Sequence, residues 1–109
     1  MRKFLLVLSA VLLLASCATP VPPEKAAYVG EWRAPGMVVL LTQDGSVAYK
    51  RLKGGEKVSI EGPLKGFNGD SFVVGIGPIK STFVVSVPPH QDNGYWKMTV
   101  DGVELTKTQ

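Results

Sequence analysis

Cysteine and histidine each occur once in this 109-residue chain, as Cys17 and His90. A hydrolase needs a nucleophile, a base and a group that orients the base. Any serine or thiol chemistry would therefore have to run through His90. That residue follows Pro88-Pro89 and precedes Gln91-Asp92-Asn93-Gly94, a rigid start and a flexible tip that predict an exposed loop. Contact with a ligand is the second reading of His90, and a catalytic base the third. Zinc wants several His, Cys or carboxylate ligands converging, which one histidine and scattered acids do not supply. Asn68-Gly69-Asp70 starts like a calcium loop but lacks the spaced oxygen ligands that should follow. Glu31, Glu56, Glu61 and Glu104 could meet as a glycosidase-like pair, yet nine acids in so small a chain make chance pairs common. Gly75-Ile76-Gly77-Pro78 has neither the lysine and hydroxyl nor the helix of a phosphate loop, and predicts a bulge or a close backbone approach. The expectation is a non-enzymatic protein with no cofactor and no metal.

Cys17 belongs to a different pattern. Arg2 and Lys3 precede an apolar run from Phe4 to Leu14, which ends in the small residues Ala15 and Ser16. Positive start, apolar middle and small residues before a cut define a secretory signal peptide. The run is about a dozen residues, whereas a membrane span needs ~20. Leu14-Ala15-Ser16-Cys17 resembles the lipobox of bacterial lipoproteins. The resemblance implies that residues 1–16 are removed, that the Cys17 thiol receives a diacylglycerol, and that the new amino end is acylated too. Each buried methylene contributes ~0.8 kcal/mol and one chain alone binds marginally, so two or three chains make a lasting anchor. A cleaved leader with a free thiol at Cys17 is the alternative. Ala18, where an Asp would signal retention in the inner membrane, implies the outer membrane, facing the periplasm; the outer face of the cytoplasmic membrane is the alternative.

Length allows one domain. The formal charge of +3 includes Arg2 and Lys3; without the leader ten basic residues face nine acidic ones. No basic patch supports nucleic-acid binding. Lys50-Arg51 and Lys53 are the one local basic cluster, read as a solvated strand end or, second, as a contact for anionic lipid headgroups. Residues 17–27 are expected to form an acylated cysteine and a Pro-rich tether. Pro20, Pro22 and Pro23 within Ala18–Lys25 favour an extended spacer of ~25 Å, at ~3.1 Å per residue. One turn of helix fits Glu24–Val29. Residues 28–109 make the folded domain.

That domain reads as all-β: about seven antiparallel strands in a meander curling into a small sandwich or partial barrel. Met37–Thr42 is apolar on both faces and predicts a central, doubly covered strand. Thr42–Ser46 and Lys53–Glu56 are turns. Val58 and Ile60 share one strand face, Gly62-Pro63 ends that strand, and Gly66–Asp70 is a loop. Phe72, Val74 and Ile76 share a face until Pro78 stops the pairing. Phe83, Val85 and Val87 repeat the alternation. Asp101-Gly102 sets the last hairpin: Val100 meets Val103, Met98 meets Leu105 and Trp96 meets Lys107.

Gly30-Glu31-Trp32, Met37–Leu41 and Asp44-Gly45-Ser46-Val47 resemble small bacterial lipocalin-like domains, which implies a tryptophan closing one end of a barrel. Val74–Thr106 is similar to small uncharacterised proteobacterial proteins, from which no activity follows. Most aromatics must be core, so the candidates for ligand or partner contact are Trp32, Tyr95 and Trp96, with His90. The leading expectation is an envelope lipoprotein, anchored through Cys17, whose β domain binds a protein partner or peptidoglycan through an exposed apolar patch or an unpaired sheet edge. A carrier of a small apolar ligand, which needs a void of at least ~300 Å³, is the alternative.

Overall fold

The structure is a computed structural model that describes residues 18–108. The signal segment and Cys17 lie outside the described residues. Nine strands follow a short 3₁₀ helix, Pro23–Tyr28: β1 Gly30–Ala34, β2 Met37–Leu41, β3 Ser46–Lys53, β4 Glu56–Asn68, β5 Ser71–Ile76, β6 Ile79–Phe83, β7 Val85–Asp92, β8 Tyr95–Val100 and β9 Val103–Lys107. The sheet order is β6-β5-β4-β3-β2-β1-β9-β8-β7, every neighbour antiparallel. This is a meander whose ends meet through β1 and β9 and whose ring stays open between β6 and β7. The sheet curls into a half-barrel.

Turn chemistry fixes the registers. Gly54-Gly55, Asn93-Gly94 and Asp101-Gly102 each place two consecutive residues at positive φ, the backbone that matches the twist of a tight hairpin. The last hairpin runs from Val100↔Val103 through Met98↔Leu105 to Lys97↔Thr106, as its alternation predicts.

Nine strands replace the expected seven, and the strand boundaries depart from the expected ones at three places. Gly62-Pro63 does not end a strand. β4 passes through both and changes partner there, leaving β3 at Ser46↔Pro63 and joining β5 at Leu64↔Val74. The missing proline N–H falls at the handover, where it interrupts neither ladder, and Gly66, Phe67 and Asn68 continue β4 instead of forming a loop. Pro78 does not stop the pairing either: Gly77-Pro78 turns the chain tightly into β6, so Ile76 faces Ile79. Finally, Phe83 and Val85 are not one strand. The alternation persists, but Phe83 pairs with Phe72 and Val85 with Val100. Between them Val84 donates its N–H to Asp101 Oδ1 at 3.1 Å and accepts from the Asp101 N–H at 2.8 Å.

β2 is central but covered on one face only. Met37, Val39 and Leu41 are buried, whereas Val38 is half-buried and Leu40 is exposed. A single curled sheet has no outer layer to cover them. The inner face carries the core: Trp32, Met37, Val39, Leu41, Val47, Tyr49, Leu64, Phe72, Val74, Phe83, Val85, Met98, Val100 and Leu105. Rings run across it in sequence. Tyr28–Phe67 centroids lie 5.0 Å apart, Phe67–Phe72 6.3 Å, Phe72–Phe83 5.3 Å and Phe83–Tyr49 4.8 Å. Offset and edge contacts of this kind contribute beyond the apolar area they bury.

The segment expected to be an extended spacer is folded onto the barrel. The Thr19 N–H donates to Leu64 O at 2.9 Å and the Val21 N–H to Gln43 O at 3.0 Å. Gln43 Nε2 returns a bond to Val21 O, and Val21 is buried. Pro22 and Pro23 suit this path, because proline fits the first turn of a helix, where no N–H partner is needed.

Candidate functional site

The curl of the sheet places β6 over the inner face of the β3–β4 hairpin. Between them opens a cleft of about 390 Å³, lined by Tyr49, Arg51, Val58, Ile60, Ser81 and Phe83 among others. Its floor follows from strand parity. Tyr49↔Ile60 and Arg51↔Val58 are cross-strand pairs, so their side chains share the concave face. The deep end is aromatic, where Tyr49 and Phe83 pack. Toward the mouth the lining turns cationic with Arg51 and Lys53. Arg51 Nη1 reaches Tyr49 OH at 3.5 Å, the outer limit of a hydrogen bond. The carboxylate on the wall, Asp101, is occupied by the Val84 N–H. The cleft thus offers an apolar floor and a guanidinium at its rim. A hollow of about 440 Å³ on the outer face is lined by Leu40, Thr42, Ala48 and Glu61; it lies over fully paired strands and holds no aromatic ring.

The two sheet edges differ. β7 is blunted: it carries Pro88 and Pro89, and its register with β8 slips twice, between Val85 and Val87 and between Val87 and His90. Prolines and bulges are how native edges refuse a further strand. β6, Ile79-Lys80-Ser81-Thr82-Phe83, has neither, and borders the cleft.

The candidates named from sequence are not brought together. Trp32 is fully buried, with its indole N–H donating to Tyr28 O at 2.9 Å; it is core. Trp96 is half-buried against that core. Tyr95 points the other way and is exposed, with the Lys97 amine 5.9 Å from its ring. His90 lies within β7, paired with Lys97, and not in a loop. Its Nδ1 is 3.0 Å from Pro88 O, so the imidazole addresses its own backbone. Proline is tolerated in a strand at an edge, which is why Pro88-Pro89 did not make a loop. Cys17 lies outside the described residues. Among the described residues, no three of His, Cys, Asp and Glu converge as a cation site would require.

Two residues that sequence reading passed over matter to the architecture. The Lys107 amine lies 5.0 Å from the Trp32 ring and 5.3 Å from the Trp96 ring, and donates to Ala27 O at 2.8 Å. Burial lowers its pKa. The last hairpin's alternation already sets Lys107 opposite Trp96, but nothing local announces that Trp32, on the neighbouring β1, flanks it too. Tyr28 is the last residue of the 3₁₀ helix, buried, and donates from its phenol to Asp70 O at 2.7 Å. Burial, and secondarily the charge of Asp70, push its phenol up from 10.0 to about 12. The fold therefore holds the neutral phenol. That contribution is fully present below the unfolded-chain pKa and is lost as pH rises through the folded one. Tyr28→Phe is expected to flatten the alkaline loss of stability, read as the difference between urea midpoints at about pH 9 and about pH 11. An unchanged difference would contradict the assignment.

No family model matches the chain, and neither a curated protein nor a solved structure is similar to it.

Proposed function

We propose that the chain is an envelope lipoprotein, acylated at Cys17 and held at the outer membrane facing the periplasm. In this reading its β domain is non-catalytic and binds a protein partner or a cell-wall component, taking an extended segment along β6 and into the neighbouring cleft. One observation carries it: of the two edges, only β6 lacks the prolines and bulges that repel a strand, and it borders an apolar cleft with Arg51 at the rim. Strand addition supplies main-chain hydrogen bonds, and the cleft supplies side-chain pockets for selectivity. Only Ala18 separates Cys17 from the packed Thr19, so the domain would ride close to the bilayer. A photo-crosslinking residue at Thr82 of the full-length protein in cells is expected to yield a discrete adduct. The same residue at Gln91 on β7 should yield none, and Arg51→Glu should reduce the Thr82 adduct by about tenfold, the loss expected when a close charge pair becomes a repulsion. Equal adducts from both edges, or none, would sink the reading. Intact-mass measurement tests the acylation separately.

A second reading, a lipocalin-like carrier of a small apolar ligand, is favoured by the aromatic floor of the cleft. Such a ligand would sit in the open cleft on the concave face, over Tyr49, Ile60 and Phe83. Saturable binding of an anilinonaphthalene probe, weakened at least about fivefold by Phe83→Ala, would favour this reading.

A further inference from the structure

The tip of the β5–β6 hairpin is apolar where a hairpin tip in water has no reason to be. Ile76 and Ile79 face each other across Gly77-Pro78, and they are 36% and 65% exposed. Turn tips usually carry polar residues, and two paired isoleucines are poorly hydrated there. The opposite face of the same tip is cationic. Lys80 pairs with Gly75, and the side chain of Lys65 lies so close over Gly75 that a Cβ there would stand 2.6 Å from the Lys65 Cε.

The path of the N-terminal segment gives this tip an occupant. Thr19 bonds Leu64 O and reaches Lys65 O with its hydroxyl at 3.5 Å. Leu64 is the partner of Val74, two residues before Ile76. Thus the point where the described chain begins and the apolar tip share one corner of the fold, the place where β4 changes partner. Cys17 is two residues upstream of Thr19, within ~7 Å of chain. A bilayer that held acyl chains on Cys17 would meet the fold at this corner.

We infer that the β5–β6 tip is a second, non-covalent membrane contact: Ile76 and Ile79 enter the headgroup–acyl boundary while Lys80 and Lys65 meet anionic headgroups. The inference rests on the acylation of Cys17 proposed above. Apolar side chains at the boundary with amines beside them are the interfacial mode of membrane binding. The contact would fix the domain's orientation, since an acyl anchor alone leaves a module free to tumble. It also leaves Ser81–Phe83 and the cleft floor for a partner.

The test uses the full-length processed lipoprotein carrying Ile79→Trp, reconstituted into vesicles of phosphatidylethanolamine and phosphatidylglycerol with or without dibrominated acyl chains. Emission is taken as the difference from the parent protein, which cancels Trp32 and Trp96. The expected result is a blue-shifted difference spectrum, quenched about twofold or more by the brominated chains, and weaker quenching when Lys80→Glu is added. Intact mass is measured on the same sample. Acylated protein whose new tryptophan stays red-shifted and unquenched overturns the tip contact alone. A bare thiol at Cys17 overturns the anchor reading, and the tip contact with it.

Discussion

Trp32→Ala is expected to lower the melting temperature by about 15–30 °C. Removing a fully buried tryptophan costs about 3–5 kcal/mol, and each kcal/mol moves a domain of this size by about 4–8 °C. The upper part of that range applies here, because Trp32 has three jobs. It is fully buried on the inner face. Its indole N–H satisfies the Tyr28 carbonyl at the end of the 3₁₀ helix. Its ring also receives the Lys107 amine, which loses one of its two aromatic faces when the indole goes. Since β1 pairs with β9 at Trp32↔Lys107 and Arg33↔Thr106, extended only by the Thr108 N–H donating to Glu31 O among the described residues, the same residue guards the joint between the ends of the meander. Trp96→Ala, at the half-buried partner ring, should cost less than half as much. Thermal melts followed by near-ultraviolet circular dichroism decide this. Equal losses for the two variants would mean that the core is not centred on Trp32.

Part of this joint was legible in the sequence. Trp32 was read as a candidate ligand or partner contact and is instead fully buried, whereas Asp101-Gly102 fixed the last hairpin because a one-residue slip would turn its apolar row to water. Local patterns of this kind need only neighbours along the chain. The errors arose where a strand changes partner. Gly62-Pro63 looks like a break because a proline interrupts the pattern, yet β4 runs through it; Val84 looks like the middle of one alternating strand, yet β6 ends before it and β7 begins after it. A partner change is set by which strand the sheet brings alongside, at Ser46↔Pro63 and Leu64↔Val74 in one case and Phe72↔Phe83 and Val85↔Val100 in the other, and alternation cannot reveal it. Pro88-Pro89 misled for a related reason: a proline pair excludes an interior strand but permits an edge, and edge position is a property of the whole sheet.

The candidate site was less legible. Tyr49 and Phe83 could be assigned to the core from alternation, but not to a cleft. Their meeting depends on sheet curl, which brings β6 over β3 without any pairing between them. Ile76 was readable as a core-facing residue, and it is one by parity. Only the height of the hairpin above β4, which pairs with β5 no further than Val74, leaves it exposed. Composition cannot anticipate that. The Pro-rich segment also carried two meanings, since an extended spacer and a docked strap share the same residues. The strap wins because Val21 finds a buried seat and Gln43 clamps its backbone from both sides.

Gly45→Ala should release that strap while leaving the barrel folded. Gly45 sits at φ +93°, and a Cβ on it would stand 2.2 Å from the Thr19 carbonyl oxygen. The backbone conformation disfavours any side chain, and the obstacle is main chain, which cannot rotate aside. The turn itself is held independently, through the Thr42 N–H to Ser46 O and the Gly45 N–H to Thr42 O. The strain is therefore relieved by expelling Thr19, at a cost of about 2–4 kcal/mol against the seat of Val21 and the helix after it. Lys25, whose amine donates to Gly69 O at 2.9 Å and lies 3.8 Å from Asp70, should then become a fast tryptic site, with cleavage before Ala26 accelerated at least about tenfold, since opening of the segment limits the cut. Mass spectrometry of timed digests measures this, with far-ultraviolet circular dichroism to show that the strands persist. Gly54→Ala is the control: nothing lies within 4 Å of its added Cβ, and its backbone is equally left-handed. If both variants are cut at the parent rate, the strap is held by something other than the fit of Thr19 against Gly45. If Gly45→Ala alone is cut quickly, the fit of Thr19 against Gly45 is what keeps the N-terminal segment docked at the corner where β4 changes partner.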